Sequence, residues 1–89
     1  MNRIEAIKER LTNQLQPTEL EIIDESHLHA GHAGAASGAG HFAVSITADA
    51  FNDKSLIERH RLVYLAVNDL MKTEIHALSI KALATNENT

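Results

Sequence analysis

The segment from His41 to Ala48 most constrains the fold, because its side chains alternate strictly between two classes. Four apolar side chains occupy the even positions, namely Phe42, Val44, Ile46 and Ala48. A period of two predicts a β-strand with one buried face and one less buried face. We therefore expect a sheet that is covered on one side by the rest of the chain.

Helical spacing marks the segment near the N-terminus. Its apolar residues recur three or four positions apart, at Ile4, Ile7, Leu11 and Leu15. This spacing predicts an amphipathic helix, which Pro17 ends. Residues 19–24 then form a short predicted strand with Leu20 and Ile22 on one face, and we expect it to pair antiparallel with the 41–48 strand.

A second helix is predicted from Ser55 to Lys72, with Asp53 or Ser55 as its cap. Its buried side is predicted to carry Leu56, Val63, Val67, Leu70 and Met71, with His60 at the centre of that side as a structural histidine. Leu65 falls on the polar side, and Thr73 ends the helix. A final strand follows, in which one face is shared by His76, Leu78, Ile80 and Ala82.

The order helix, strand, strand, helix, strand predicts an α+β fold. We expect a small three-stranded sheet with both helices packed on one face. Residues 1–83 form a single predicted domain, and residues 84–89 form a predicted polar C-terminal tail that frays.

Composition excludes several function classes. The net charge of −4 disfavours a general polyanion binder, and the absence of cysteine excludes a disulfide framework. No apolar run approaches the roughly 20 residues that span a bilayer. The N-terminus has no signal-peptide pattern, so we predict a cytoplasmic protein without membrane association. Because no catalytic motif is present, enzymatic activity is not expected.

Histidines are the candidate metal ligands of this cysteine-free chain. His27, His29 and His32 lie in or beside a glycine- and alanine-rich loop, and His76 opens the last strand. Neutral imidazole binds borderline metal ions well. The alternatives are a space-filling role for His76, and a solvated loop that binds zinc or nickel only loosely. His41 is an alternate ligand or supporting donor, or simply a polar residue at a strand edge.

The chain resembles the BolA family from its first helix to about Leu83. The resemblance rests on Glu25-Ser26, His41-Phe42, Phe51, Arg59-His60-Arg61 with Tyr64, and the segment from Ile75 to Ile80. It implies a fold like a class II KH domain without the RNA-clamping loop. It also implies a heterodimer with a monothiol glutaredoxin, formed by a protein that is a monomer when alone.

In such pairs the resemblance implies a [2Fe-2S] cluster shared with the glutaredoxin and its glutathione, in cluster trafficking or iron regulation. Carried onto this chain, the strand-start ligand is His76 and the loop ligand is His29, with His32 and His41 as alternates. Imidazole in place of thiolate raises the potential of such a cluster, as in Rieske-type centres.

Two rival functions remain open at this point. Some BolA-like proteins are described as transcription regulators, and DNA binding would use the second helix. Partner or nucleic-acid contacts would then come from Arg59, Arg61 and Lys72, with Lys54 and Lys81 beside them. A metal buffer that uses only the loop histidines is the third interpretation.

Overall fold

The computed structural model describes residues 2–25 and 40–87, with the backbone alone for His76 and Glu87. Its elements are α1 (Arg3–Leu15), β1 (Glu19–Asp24), β2 (Gly40–Ala48), α2 (Leu56–Ala66) and β3 (Ile75–Ala84). Short 3-10 turns span Asp49–Phe51 and Thr85–Glu87. The predicted α+β order is confirmed.

The strands form one sheet in the order β1-β2-β3. β1 pairs antiparallel with β2, as predicted, and β3 pairs parallel with β2. A parallel pair needs a crossover connection, which α2 supplies. The strict alternation of β2 is confirmed, since Phe42, Val44, Ile46 and Ala48 are all buried.

The core lies between one face of the sheet and the two helices. α1 contributes Ile7, Leu11 and Leu15, and Leu20 and Ile22 of β1 pack against the same cluster. α1 begins after Asn2, whose side chain caps the backbone N–H of Glu5. It ends at Gln16 in the left-handed conformation (φ 48°), directly before Pro17.

The second helix is shorter than predicted, and one of its predicted core residues is exposed. It ends at Ala66, and residues 67–74 continue in hydrogen-bonded turns. The weak helix formers Asn68 and Asp69 follow directly on this end. Leu56 is 66% exposed, so its predicted burial is wrong. Val63, Val67 and Leu70 are buried, as predicted, and Met71 packs against the core. Arg59 and Ala66 are buried as well, while His60 is half-buried.

The C-terminal end is more ordered than the predicted tail. β3 continues through Ala84, which is buried, beyond the boundary predicted at Leu83. The hydroxyl of Thr85 then donates to side-chain oxygens of Asp49 and Asn52, and the backbone N–H of Asn86 donates to Asn52. These bonds hold the chain after β3 against the turn that follows β2.

Candidate functional site

One end of the sheet brings together the end of β1, the start of β2 and the start of β3. The backbone N–H of Glu25 donates to the carbonyl of His41 at 2.8 Å, just beyond the last paired residues of β1. His41 in turn lies opposite Ala77 of β3. Because adjacent strands are about 4.8 Å apart, these three positions span roughly 10 Å.

His76 occupies an irregular position in the parallel ladder. Gly40 pairs with Ile75 and His41 pairs with Ala77, so His76 is one extra residue of β3 between two consecutive pairs. Such a bulge disrupts the ladder locally, and bulges are common beside functional sites. The bulge also breaks the alternation. Leu78 and Ile80, at even positions, pack against the core. Ile75 is also buried in that core although it has an odd position, which strict alternation would place on the other face.

The face predicted for His76 stays a prediction, because its side chain lies outside the part of the chain that the structure describes. Leu78, Ile80 and Ala82 do share the core side, as predicted. The other part of the prediction, that His76 lies at the start of the last strand, agrees with β3 beginning at Ile75. Its ligand role stays a prediction.

The predicted loop ligands lie between the two ends that the sheet fixes. His27, His29 and His32 are outside the described residues. Glu25 precedes their segment and Gly40 follows it, and both are held by main-chain hydrogen bonds. The segment that carries these histidines thus leaves the sheet at the end of β1, two strands away from His76, and rejoins it at the start of β2, one strand away.

His41, the alternate ligand within β2, is half-buried. It alternates with the buried Phe42 and Val44, so it lies on the sheet face away from the helices. Its Nε2 atom has almost no contact with solvent. A cluster presented by another molecule would have poor access to that nitrogen, which favours the loop histidines over His41. Among the described residues, no three potential ligands of the His, Cys, Asp or Glu type are grouped.

The start of β3 is held by Glu74. Its carbonyl accepts from the N–H of Gly40 at 3.1 Å, and its own N–H donates to the carbonyl of Leu70 at 2.8 Å. Its carboxylate accepts from Nε of Arg3 at 2.9 Å. An open cavity of about 390 Å³ adjoins this ion pair, and its lining is formed by Asn2, Arg3, Ala6, Leu70 and Glu74.

The two arginines of the Arg59-His60-Arg61 run have opposite surroundings. Arg59 is only 7% exposed and donates to the carbonyls of Lys54 and Ala82 at 3.0 and 3.1 Å. Its burial argues against the predicted contact with a partner or nucleic acid. Arg61 and Lys72 lie on the surface, where that contact stays a prediction.

Sequence reasoning missed the structural function of Arg59 and Tyr64. The Tyr64 hydroxyl donates to the carbonyl of Leu78 at 3.3 Å, so α2 side chains bond two carbonyls of the edge strand β3. Arg59 stands four residues before the buried Val63, at helical spacing. That spacing was the available signal, but a scan for apolar periodicity passes over a charged residue.

Shifted pKa values occur on the helical side of the molecule. A hydrogen bond from Arg10 lowers the pKa of Asp69, and the Asp69 carboxylate raises the pKa of Arg10. The backbone N–H of Ser55 donates to Glu58 and lowers the pKa of that carboxyl. These groups belong to α1, to α2 and to the turns after α2, where they stabilise local structure.

Comparison with known proteins identifies the family. The family model described as BolA-like protein matches residues 11–87. SufE-like protein 1 of Arabidopsis thaliana is 48% identical over 85% of this chain, which spans 22% of that protein. The solved BolA domain of Arabidopsis SufE1 superposes with a TM-score of 0.84 at 42% identity, covering 98% of both chains.

Two further relatives carry different names. Protein BOLA1, chloroplastic, of Arabidopsis is 40% identical over 97% of this chain, which spans 56% of that protein. The DNA-binding transcriptional regulator BolA of Escherichia coli is 35% identical over 93% of this chain and is covered over 76% of its length. The chain thus spans about a fifth and about half of the two Arabidopsis proteins.

In the part of the chain that the structure describes, no helix is long and apolar enough to cross a membrane. The superposition on the solved BolA domain agrees with the two helices and the three-stranded sheet found here. On this evidence the chain belongs to the BolA-like protein family.

Proposed function

We propose that this protein is a non-enzymatic adaptor that binds a monothiol glutaredoxin and helps to ligate a [2Fe-2S] cluster. The observation that supports this most is the arrangement at one sheet end. There the bulged residue His76 lies one strand away from Gly40, which follows the histidine-bearing segment, and two strands away from Glu25, which precedes it. The proposal extends family membership to a specific chemistry and to a cytoplasmic location.

The available donor atoms fit this role. The chain has no cysteine, so its contribution to an iron site is imidazole nitrogen, while thiolate comes from the glutaredoxin and its glutathione. Gly40 carries no side chain beside the bulge. When bound, such a cluster supplies an iron–sulfur group whose potential and stability depend on its nitrogen ligands.

His76 is the first ligand in this proposal because the strand start fixes its backbone. The paired β2 and β3 strands give that backbone a defined position in the sheet. His29 is the second ligand, with His32 and His41 as alternates. Ordering a glycine-rich segment around a metal costs conformational entropy, so a ligand there binds effectively only when the cluster is already held elsewhere.

The first prediction concerns the ligands themselves. After anaerobic reconstitution with a monothiol glutaredoxin and glutathione, we expect a heterodimer-specific visible absorption and circular dichroism spectrum. His76→Ala should abolish that spectrum, because the fixed ligand is lost, and His29→Ala should weaken it. His27→Ala is the matched control from the same part of the chain and should leave the spectrum unchanged.

Two results would contradict the proposal. One is a wild-type mixture whose spectrum equals that of the glutaredoxin alone. The other is a heterodimer spectrum that survives His76→Ala unchanged. If His32→Ala rather than His29→Ala weakens the spectrum, the adaptor function stands and the second ligand is His32.

A second candidate function is DNA binding, which is favoured by the name of the Escherichia coli relative, a DNA-binding transcriptional regulator. The exposed cations of the helical side would supply the phosphate contacts, namely Lys54, Arg61 and Lys72. The net charge of −4 opposes it.

A further inference from the structure

The bulge at His76 weakens the part of the sheet that the proposed site depends on. A bulge removes regular ladder bonds, so the strand start next to it needs support from elsewhere. Glu74 provides that support with three hydrogen bonds, to Gly40, Leu70 and Arg3. It is the point where α1, the turns after α2 and the start of β2 meet.

Arg3 connects this point to the first turn of α1. Its Nε–H donates to Oε2 of Glu74 at 2.9 Å, and the two side chains are 39% and 41% exposed. A charge-assisted bond of this length restrains the direction of the Glu74 side chain. Exposed pairs contribute little to global stability, but local openings cost far less than global unfolding and respond to small contributions.

We propose that Arg3 and Glu74 are positioning residues, whose ion pair keeps Gly40 and the start of β3 in register and thereby sets where His76 meets a shared cluster. This inference rests on the proposed function, because it concerns the same histidine site. It assigns to the first turn of α1 a task at the start of β3, beyond its contribution to packing.

The chain contains a matched control for this pair. Arg10 and Asp69 also connect α1 to the turns after α2, at 2.9 Å and with side chains 34% and 58% exposed. Asp69, however, bonds neither Gly40 nor the start of β3 in the described structure. Breaking either pair should cost similar global stability, whereas only the Arg3–Glu74 pair should affect the sheet end.

The test measures amide hydrogen exchange of Gly40 by NMR in the isolated protein. We expect Arg3→Gln and Glu74→Gln each to speed that exchange by about 2- to 5-fold, the range of a weak ion pair. Asp69→Asn should leave it unchanged. Adding Glu74→Gln to Arg3→Gln should have a smaller effect than Glu74→Gln has alone, because the shared bond is already lost.

Both single variants must speed the exchange of Gly40, because this distinguishes the loss of a structural restraint from a direct effect of charge on the exchange rate. Base-catalysed exchange is slowed by a nearby carboxylate and accelerated by a nearby guanidinium. A purely electrostatic effect would therefore have opposite signs in Glu74→Gln and Arg3→Gln. Opposite signs, unchanged exchange in both variants, or an equal acceleration by Asp69→Asn would overturn the proposal.

The same variants are then tested in the glutaredoxin heterodimer. Arg3→Gln and Glu74→Gln should change the visible circular dichroism of the cluster and speed its loss by a similar 2- to 5-fold, while Asp69→Asn should not. A cluster that is identical in all variants would overturn the link to His76. If the wild type holds no cluster, the proposed function fails, and the exchange pattern alone then shows whether the pair restrains the sheet end.

Discussion

Arg59 and Arg61 show how far two neighbouring arginines can differ in task. The Arg59 guanidinium is buried and donates to two carbonyls, one before α2 and one near the end of β3. Arg61 lies on the exposed side of the same helix. A buried carbonyl that loses a charged donor keeps its desolvation cost, so Arg59 should contribute to stability while Arg61 should not.

We therefore predict that Arg59→Met, which keeps the length of the side chain, lowers the free energy of unfolding by about 2 kcal/mol. For a domain of this size the loss corresponds to a decrease in Tm of roughly 10 °C. Arg61→Met should stay within about 0.5 kcal/mol of wild type. Urea denaturation of the wild type and the two variants measures the free energy of unfolding. An equal loss of stability in both variants would show that the buried hydrogen bonds of Arg59 do not contribute to stability.

At the scale of single elements, α2 depends on the reciprocal bonds at its start. The Ser55 hydroxyl accepts from the N–H of Glu58 at 3.2 Å, and the Glu58 carboxylate accepts from the N–H of Ser55 at 2.9 Å. The bond from the Ser55 backbone is the main cause that lowers the pKa of Glu58, followed by the Ser55 side chain. This capping box fixes the first turn of the crossover helix.

The lowered pKa of Glu58 predicts how stability changes in acid. A carboxyl with a lower pKa in the folded state stabilises the fold above its ordinary pKa, and the contribution disappears as pH falls through the folded pKa. Glu58→Gln should therefore be less stable than wild type at neutral pH, and the difference should close below the ordinary value of 4.5.

Ser55→Ala is the companion variant, because its hydroxyl bond to the Glu58 N–H does not titrate. It should cost about 1 kcal/mol at neutral pH and keep part of that cost in acid. Denaturation curves at a series of pH values compare the two. A Glu58→Gln difference that is constant with pH would refute the role of the charge.

Periodicity predicted the elements whose pattern is unbroken. The alternation through Phe42 and Val44 gave β2, and the spacing of Ile7 and Leu11 gave α1. The end of α2 was not predictable in this way, because Val67 and Leu70 stay buried whether they lie in helix or in turns. The pattern of apolar residues indicates which side chains are buried, and burial alone does not distinguish a helix from a series of turns.

The candidate site was predictable only in part. The position of His76 at the start of a strand followed from the pattern of the last strand. The one-residue bulge at that start was not predictable. Only Ile75 precedes it in the strand, and one residue is too few to show a change in the alternation. The main-chain hydrogen bonds of Glu74 and Glu25 could not be predicted either, because main-chain atoms are the same in every residue and leave no signal in the sequence.

At the scale of the whole molecule, charge is distributed unevenly. β1 and the residue after it are acidic, with carboxylates at Glu19, Glu21, Asp24 and Glu25. Of these, Asp24 and Glu25 adjoin the sheet end of the proposed site, while the exposed cations Lys54, Arg61 and Lys72 belong to the helical side. With a net charge of −4, the protein as a whole repels a polyanion.

For the isolated protein we accordingly predict no salt-dependent affinity for duplex DNA. A titration followed by fluorescence anisotropy at several salt concentrations should give a slope near zero in log affinity against log salt. Each real phosphate contact would add about −0.9 to that slope. A slope of about −3 or steeper that Arg61→Ala and Lys72→Ala reduce would instead establish the DNA-binding alternative.

The main-chain bonds at Glu25 and Gly40 have a consequence for evolution. They require no particular side chain at either end, so a change in the length or sequence of residues 26–39 leaves these two bonds available. Doubling the length of such an insertion costs only about 0.6 kcal/mol of closure entropy. Under the proposed function, the second ligand could therefore change in type or in position along the sequence while the sheet that carries His76 stays the same.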